Sequence, residues 1–337
     1  METELKFQVP RAQRQALRRA VGTASAVTTR LQAVYADTPG QDLAAAGLAL
    51  RMRKEGRVWV QTLKGRGDGL MQRLEHEVHL PPQRGVPVLD PQRHGGTAAG
   101  DRLQKVLARG APLQPVYSTD IRRLHRRVRH AGALIEVAYD RGHIIAGAQR
   151  LVVDEIEFEL VRGPAAALPD LAARWAARFG LWWDVRTKSE RGFRLALGRD
   201  TVPPVLASSR PMASVRRGAA PAWQTRLQGA LLHALPNAAE LASCSGHAGH
   251  LAQWCAALQR LRQLLGRAPA GLQPQGCMQA AAQAHALIQA LAQPGRPSQA
   301  QDLQAAGAAA RSTASCLLML QCLAWTMAPA AKDSPTP

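Results

Sequence analysis

The feature that most constrains this 337-residue chain is a strand pattern at its start that alternates charged and apolar residues. In the opening M-E-T-E-L-K-F, a strand would place Glu2, Glu4 and Lys6 on one face and Leu5 and Phe7 on the other. A single strand of this kind can simply turn its charged face to water. The repetition of the pattern along the chain demands another explanation.

The same alternation returns in five later segments. They are L-A-L-R-M-R-K (48–54), V-W-V-Q-T-L-K (58–64), R-L-E-H-E-V-H-L (73–80), A-L-I-E-V-A-Y-D (133–140) and D-E-I-E-F-E-L-V (154–161). Strands are also expected over 28–35 and 116–129. Between the strands, the sequence predicts helices over 10–22, 101–108 and 169–179, and loops over 81–101 and 187–193. The acids on the alternating positions are Glu2, Glu4, Glu75, Glu77, Glu136, Asp140, Glu155, Glu157 and Glu159.

Two arrangements of such a sheet are possible. The sheet either packs its apolar face on helices and leaves its charged face in water, or it closes into a barrel with the charges inside. Closure removes the exposed edges of an antiparallel sheet. Because buried charges need partners, a charged interior favours divalent cations beside the carboxylates and phosphate beside Lys and Arg.

Seven motifs follow one another in the first 200 residues. They are E-x-E-x-K, L-A-L-R-M-R followed by Q-T-L-K-G, R-L-E, Y-S-T-D-I-R-R, I-E-V-A-Y-D-R-G, E-I-E-F-E-L and K-S-E-R-G-F. In this order, they resemble the CYTH family of triphosphate tunnel metalloenzymes. The resemblance implies an α+β fold over residues 1–202, in which flanking helices surround an eight-stranded antiparallel β-barrel, the triphosphate tunnel.

The resemblance also implies roles for individual residues. Phosphate would be bound by Lys6, Arg51, Arg53, Lys64, Arg73, Arg123 and Lys188. Mg²⁺ or Mn²⁺ would be held by Glu2, Glu4, Asp140, Glu155 and Glu157. Supporting positions would be Glu75, Glu136, Glu159 and Arg191. The catalytic residues would be Lys6, Asp140 and Glu157. Glu77 falls outside the motifs, and a solvated role and a supporting role are both compatible with it.

The implied reaction is hydrolysis of inorganic triphosphate to diphosphate and phosphate. Phosphoryl transfer depends mainly on positioning and on neutralising charge at the phosphate oxygens, which suits these residue types. Three alternatives remain open at this point: a regulatory module that binds polyphosphate without turnover, an organic triphosphatase, and an adenylate cyclase of the same family.

The C-terminal half has a different composition. Its residues 201–337 contain three acids against ten Lys or Arg, and are rich in Ala. We expect a linker over 203–222, a helical domain over 223–330 with helices at 223–235, 249–265, 275–291 and 298–327, and a tail over 331–337. The helical segment resembles a shortened CHAD domain, through L-A-Q-W-C-A-A-L-Q-R-L-R (251–262), which implies polyphosphate as a partner.

One group of residues in this half has zinc-binding chemistry. Cys244, His247, His250 and Cys255 form C-x2-H-x2-H-x4-C, a spacing that matches no common zinc motif.

Charge and apolar patterning limit the partners and the compartment. An excess of 43 Lys and Arg over 24 Asp and Glu favours polyanions. Nucleic acid is disfavoured, because aromatic residues make up 4% of the chain and no basic run is interleaved with them. The longest apolar run, 314–328, is too short to cross a membrane. We expect no export signal, because charged residues fill the start and no apolar region follows them. Five cysteines without framework spacing indicate reduced thiols, so we expect a cytoplasmic protein.

Overall fold

The computed structural model describes residues 2–67, 69–83, 85–108, 110–207, 223–268, 276–291 and 299–327. They form two compact units, one of Met1–Ala165 with Arg186–Asp200 and the other of Ala166–Val185 with Thr201–Pro337. The predicted domain boundaries at 202 and 223 stay predictions. The predicted tail and the part of the predicted linker from 208 onward lie outside the described residues, as do the first residues of the helices predicted over 275–291 and 298–327.

The first unit is built on eight antiparallel strands: β1 (Glu2–Gln8), β2 (Val27–Asp37), β3 (Leu48–Glu55), β4 (Val58–Arg66), β5 (Gln72–Leu80), β6 (Gln114–His130), β7 (Ala133–Ala146) and β8 (Gln149–Arg162). They pair in the order β5-β4-β3-β2-β6-β7-β8-β1. A further pairing of β1 with β5, in which Glu2 lies opposite Arg73, joins the two ends. The predicted closed eight-stranded barrel is therefore confirmed.

Strand register decides which side chains face the lumen. Residues opposite each other on paired strands share a face. Lys6 lies opposite Glu157, and Arg123 lies opposite Asp140, which in turn lies opposite Glu155. The charged positions of neighbouring strands thus line one surface, the inside of the barrel.

The alternate positions form the outer face, which is apolar where helices cover it. Helix α1 (Arg14–Val21) buries Leu17 and Val21 and contacts β6 and β7. Helices α2 (Asp42–Ala45) and α3 (Ala98–Leu107) close a separate cluster over β3 and β4. The buried members of that cluster are Leu43, Leu48, Leu50, Leu63, Ala99 and Leu103.

One part of the lumen is apolar, unlike the charged remainder. Nine buried residues on lumenal positions form a single cluster with Phe193: Leu31, Ala33, Tyr35, Ala49, Tyr117, Ile121, Ile144, Ala146 and Val153. Phe193 belongs to helix α5 (Lys188–Ala196), which contacts β6, β7 and β8. Helix α5 and this apolar cluster therefore fill one part of the barrel interior.

Two of the predicted loops contain helical structure. The loop expected over 187–193 is wrong, because α5 begins at Lys188. The Thr187 side chain accepts from the Glu190 amide while the Glu190 side chain accepts from the Thr187 amide, so a capping box starts the helix. The segment 81–101 contains a 3-10 turn at Pro91–His94 and the first turn of α3.

The second unit contains helix α4 (Ala167–Phe179), the short strand β9 (Trp182–Trp183) and helices α6 (Trp223–Ala242), α7 (Ala248–Gly266), α8 (Cys277–Leu291), α9 (Gln299–Ala310) and α10 (Thr313–Thr326). Helix α6 contacts α7, α9 and α10, and α10 also contacts α4. Trp254 is fully buried in this unit. The single helix predicted over 298–327 is wrong, because Ser312 caps a new helix, α10.

A search of the described helices for a membrane-spanning segment finds none of sufficient length and apolar character.

Acid sensitivity of the barrel is predicted from His94, which is fully buried outside the lumen. Its Nδ1 lies 2.9 Å from Nδ1 of His76, and its Nε2 lies 3.0 Å from the Gln61 amide nitrogen. Burial has the largest effect on the pKa of His94, and the neighbouring His76 and Arg93 add to it. Together they lower this pKa to about 4. The unfolded chain therefore binds a proton at a higher pH than the folded one, and stability is lost as pH falls from about 6.5 towards 4.

We expect the free energy of unfolding to drop by about 1–2 kcal/mol between pH 7.5 and pH 5 through this residue. In His94→Gln, urea unfolding should show a correspondingly smaller drop. His79→Gln, at an exposed histidine on the same strand as His76, is the matched control and should behave like the parent. An equal drop in all three proteins would contradict the prediction.

Candidate functional site

The centre of the charged lumen is Lys188, which α5 projects among three carboxylates. Its Nζ lies 2.8 Å from Asp140, 2.5 Å from Glu155 and 2.7 Å from Glu157. Arg123 donates two hydrogen bonds of 2.7 Å to Asp140 and also contacts Glu157. Asp140 and Glu155 are fully buried, so these pairs are shielded from water.

These three carboxylates can also act as metal ligands. One oxygen of each of Asp140, Glu155 and Glu157 lies within 4.8 Å of the others. Carboxylate oxygens are the donors that hard divalent cations such as Mg²⁺ and Mn²⁺ take. No other group of three or more His, Cys, Asp or Glu side chains in the described part of the chain comes this close together. The residues of the C-x2-H-x2-H-x4-C segment are therefore not gathered into such a group.

Nearby cations keep Glu155 and Glu157 ionised. Burial alone would raise the pKa of Glu155, but Arg191, Lys188 and Lys6 together lower it to about 2. Burial likewise opposes ionisation of Glu157, and Lys188 and Arg123 overcome it, which holds its pKa well below the usual range. At neutral pH both side chains are carboxylates.

A second ion-pair group lies where β1 meets β5. Lys64 lies 2.7 Å from Glu2 and 3.0 Å from Glu75, and Arg73 lies 2.8 Å from Glu4. Burial raises the pKa of Glu2 and of Glu4, and the neighbouring carboxylates add to it. Glu2 and Glu4 thus face a less cationic environment than Glu155 and Glu157.

Glu159 and Glu136 lie between these two groups. Glu159 is opposite both Glu4 and Glu136 across the strands. Burial has the largest effect on the pKa of Glu159, and the carboxylates of Glu2 and Glu136 add to it. Together they raise this pKa to about 7. Glu136 lies 3.3 Å from His125, a lumenal residue that the motifs do not include.

The remaining predicted residues also reach the lumen. Lys6 is buried and donates to the Arg186 carbonyl, and Arg191 contacts Glu155. Arg53 donates to Glu77 at 3.1 Å, and Arg51 lies 4.0 Å from the same carboxylate. The structure therefore places Glu77 in the lumen among predicted phosphate-binding residues. Its alternation with Glu75 was the available sequence signal.

Every predicted site residue thus lies on the lumenal face or on α5, but the structure divides the predicted metal ligands. Asp140, Glu155 and Glu157 are together, while Glu2 and Glu4 contact Lys64 and Arg73. A single set of five metal ligands stays a prediction.

A search of protein families matches the CYTH domain over residues 1–191, which is more than half of the chain. The chain belongs to the CYTH family. A curated relative, the inorganic triphosphatase of Haemophilus influenzae, is 29% identical over 161 residues. The match covers 48% of this chain and 44% of the relative, so the chain aligns with less than half of that protein. The resemblance of 223–330 to a CHAD domain stays a prediction.

Two solved structures are similar to this CYTH chain. One is a Hippeastrum protein described as a candidate adenylyl cyclase with a dominant triphosphatase activity, at 19% identity and a TM-score of 0.41, covering 58% of this chain and 95% of that one. The other is a candidate adenylate cyclase of Bacillus halodurans, at 18% identity and a TM-score of 0.41, covering 57% of this chain and 97% of that one.

Because the ion pairs of the CYTH barrel are buried, we expect the protein to lose much of its stability when one partner is removed. Glu155→Ala removes the buried carboxylate that Arg191 contacts and one of the three around Lys188, so we expect the free energy of unfolding to fall by about 3–5 kcal/mol in metal-free buffer. Asp120→Ala breaks an exposed pair with Arg30 and should cost less than about 1 kcal/mol.

Urea unfolding at neutral pH compares the two variants, and equal losses would contradict the prediction. Because the pKa of Glu155 is lowered in the folded state, its contribution is present above about pH 4.5 and is lost as pH falls towards 2. The difference between the variants should therefore shrink at acidic pH.

Proposed function

We propose that the CYTH barrel hydrolyses inorganic triphosphate to diphosphate and phosphate, with Mg²⁺ or Mn²⁺ as cofactor. The observation that carries the proposal is the group formed by Lys188 with Asp140, Glu155 and Glu157. It combines a cation for phosphate oxygens with carboxylates for a divalent cation, within one buried space.

The charge balance of the site supports a substrate that arrives with a metal. Of the predicted phosphate-binding cations, Lys64, Arg73, Arg123 and Lys188 are already paired closely with carboxylates, while Arg51 makes only a weak contact. A polyanion that took these cations away would leave the carboxylates unpaired, which is costly in a buried site. A divalent cation held by Asp140, Glu155 and Glu157 would compensate them, and would neutralise charge on the phosphate oxygens when bound.

The residues of the chain then have distinct tasks. Lys188 and Arg123 keep their positive charge, because the nearby carboxylates raise the pKa of both despite burial, and they would bind non-bridging phosphate oxygens. Lys64 and Arg73 would hold the substrate along the wall formed by β4 and β5. The apolar cluster and α5 exclude water from one part of the lumen, which strengthens these interactions. Asp140 would hold the metal or orient the attacking water.

An inorganic substrate is favoured over a nucleotide by the aromatic residues of the lumen. Among lumenal positions of the described strands, the Phe, Tyr and Trp residues are Tyr35 and Tyr117, which are both buried and stacked on each other. Neither presents a free ring face to a nucleobase. The curated relative, which is an inorganic triphosphatase, points to the same substrate.

Phosphate release from tripolyphosphate, thiamine triphosphate and ATP, each with Mg²⁺ and with Mn²⁺, tests the proposal on the full chain. We expect the highest kcat/KM for tripolyphosphate and no turnover with EDTA. Lys188→Met should lower kcat/KM at least about 100-fold. Lys54→Met is the matched control, because Lys54 lies on the outer face over the Trp59 ring, and it should keep the parent activity.

Three results would overturn the proposal. Tight binding of tripolyphosphate without turnover would indicate the regulatory module, and cyclic AMP from ATP would indicate the cyclase. A preference for thiamine triphosphate would indicate the organic triphosphatase.

A further inference from the structure

Arg51 differs from the other lumenal cations in its partners. It is 9% exposed, yet within the described part of the chain its nearest carboxylate is Glu77, at 4.0 Å. Its Nε has no hydrogen-bond partner there. Lys64, Arg73, Arg123 and Lys188 each lie within 3.0 Å of a carboxylate. Among these five cations, Arg51 is therefore the one without a carboxylate within 3.0 Å.

The close partner of Arg51 is a neutral group. Its Nη1 donates a hydrogen bond of 3.1 Å to the hydroxyl of Tyr35, the residue directly opposite on β2. Burial alone would raise the pKa of Tyr35, but Arg51, Lys188 and Arg53 outweigh it and lower the pKa. The hydroxyl thus faces three cations. Because a hydroxyl accepts a hydrogen bond without cancelling a charge, it fixes the guanidinium and leaves it able to bind an anion.

The ring of Tyr35 is packed against other aromatic rings. Its ring stacks on Tyr117 with centroids 4.5 Å apart and planes at 16°, and Tyr117 meets the edge of Phe193 at 5.1 Å. Helix α5 approaches this stack closely at Gly192, where a Cβ would lie 2.2 Å from the Tyr117 ring. Any larger residue at 192 would displace the stack or the helix. We call Tyr35, Tyr117 and Phe193 the aromatic floor.

We propose that Tyr35 is a positioning residue, which aims Arg51 at the terminal phosphate group of the substrate. The proposal rests on the proposed function. A phosphate at Arg51 would be a terminal one, because the neighbouring aromatic floor is buried and belongs to the packed apolar cluster. The site would accordingly require a free phosphate end at this position and reject a substrate esterified at both ends.

The Tyr35→Phe variant tests this role, because it keeps the ring and removes the hydroxyl. We expect KM for tripolyphosphate to rise about 5- to 10-fold with kcat changed less than about 2-fold. The dissociation constant of inorganic diphosphate, measured by calorimetry without turnover, should rise by a similar factor. Tyr117→Phe is the matched control. This variant keeps the ring stack, and the hydroxyl that it removes makes no hydrogen bond to Arg51.

The outcomes separate the two proposals. Unchanged KM and unchanged diphosphate affinity in Tyr35→Phe would overturn the role of Tyr35 while leaving the hydrolase intact. Equal losses in both variants would also overturn it, because ring packing rather than the hydroxyl would then be responsible. Selective loss of diphosphate affinity in Tyr35→Phe, in a parent protein that hydrolyses no triphosphate, would support the role of Tyr35 and overturn the proposed reaction.

Discussion

The structure of the first unit depends on one constraint, which is that charges enclosed in a barrel must be paired. The strands bring carboxylates and cations to the same lumenal face, and several of these groups pair with a partner on another strand or on α5. Lys188, from a helix, contacts carboxylates of β7 and β8, while Lys64 of β4 contacts Glu2 of β1. The pairs therefore link elements far apart in sequence. They also make the interior expensive to disturb, because removing one partner leaves a buried charge.

The same constraint explains how the barrel can bind a polyanion. The cations and carboxylates of the lumen neutralise each other, and they are also the groups that phosphate and a divalent cation would bind. Substrate and divalent cation would exchange these partners rather than fill an empty charged space. Arg51 differs from Lys64, Arg73, Arg123 and Lys188, since its close partner is a tyrosine hydroxyl and not a carboxylate. The aromatic floor and α5 then give the lumen two chemically different parts, one charged and one apolar.

Sequence reasoning reached the barrel and the lumenal residues because a period of two is visible in single strands, and because the motif order resembles a known family. It missed α5, although Thr187 and Glu190 carry a capping-box signal, since K-S-E-R-G-F has little apolar periodicity. It also missed the aromatic floor, because Tyr35 and Tyr117 meet only when β2 pairs with β6. The break between α9 and α10 was missed because apolar residues dominate on both sides of it, although Ser312 carries an N-cap signal. The separation of Glu2 and Glu4 from the other acids depends on barrel closure, which no local pattern reports.

The most direct test of the account is a crystal structure with Mn²⁺ and a non-hydrolysable imido analogue of tripolyphosphate. The account predicts an anomalous Mn²⁺ peak bound by oxygens of Asp140, Glu155 and Glu157, with Lys188 and Arg123 turned to phosphate oxygens. The terminal phosphate should lie at Arg51. A metal and analogue bound outside the barrel, with the lumenal ion pairs unchanged, would contradict it.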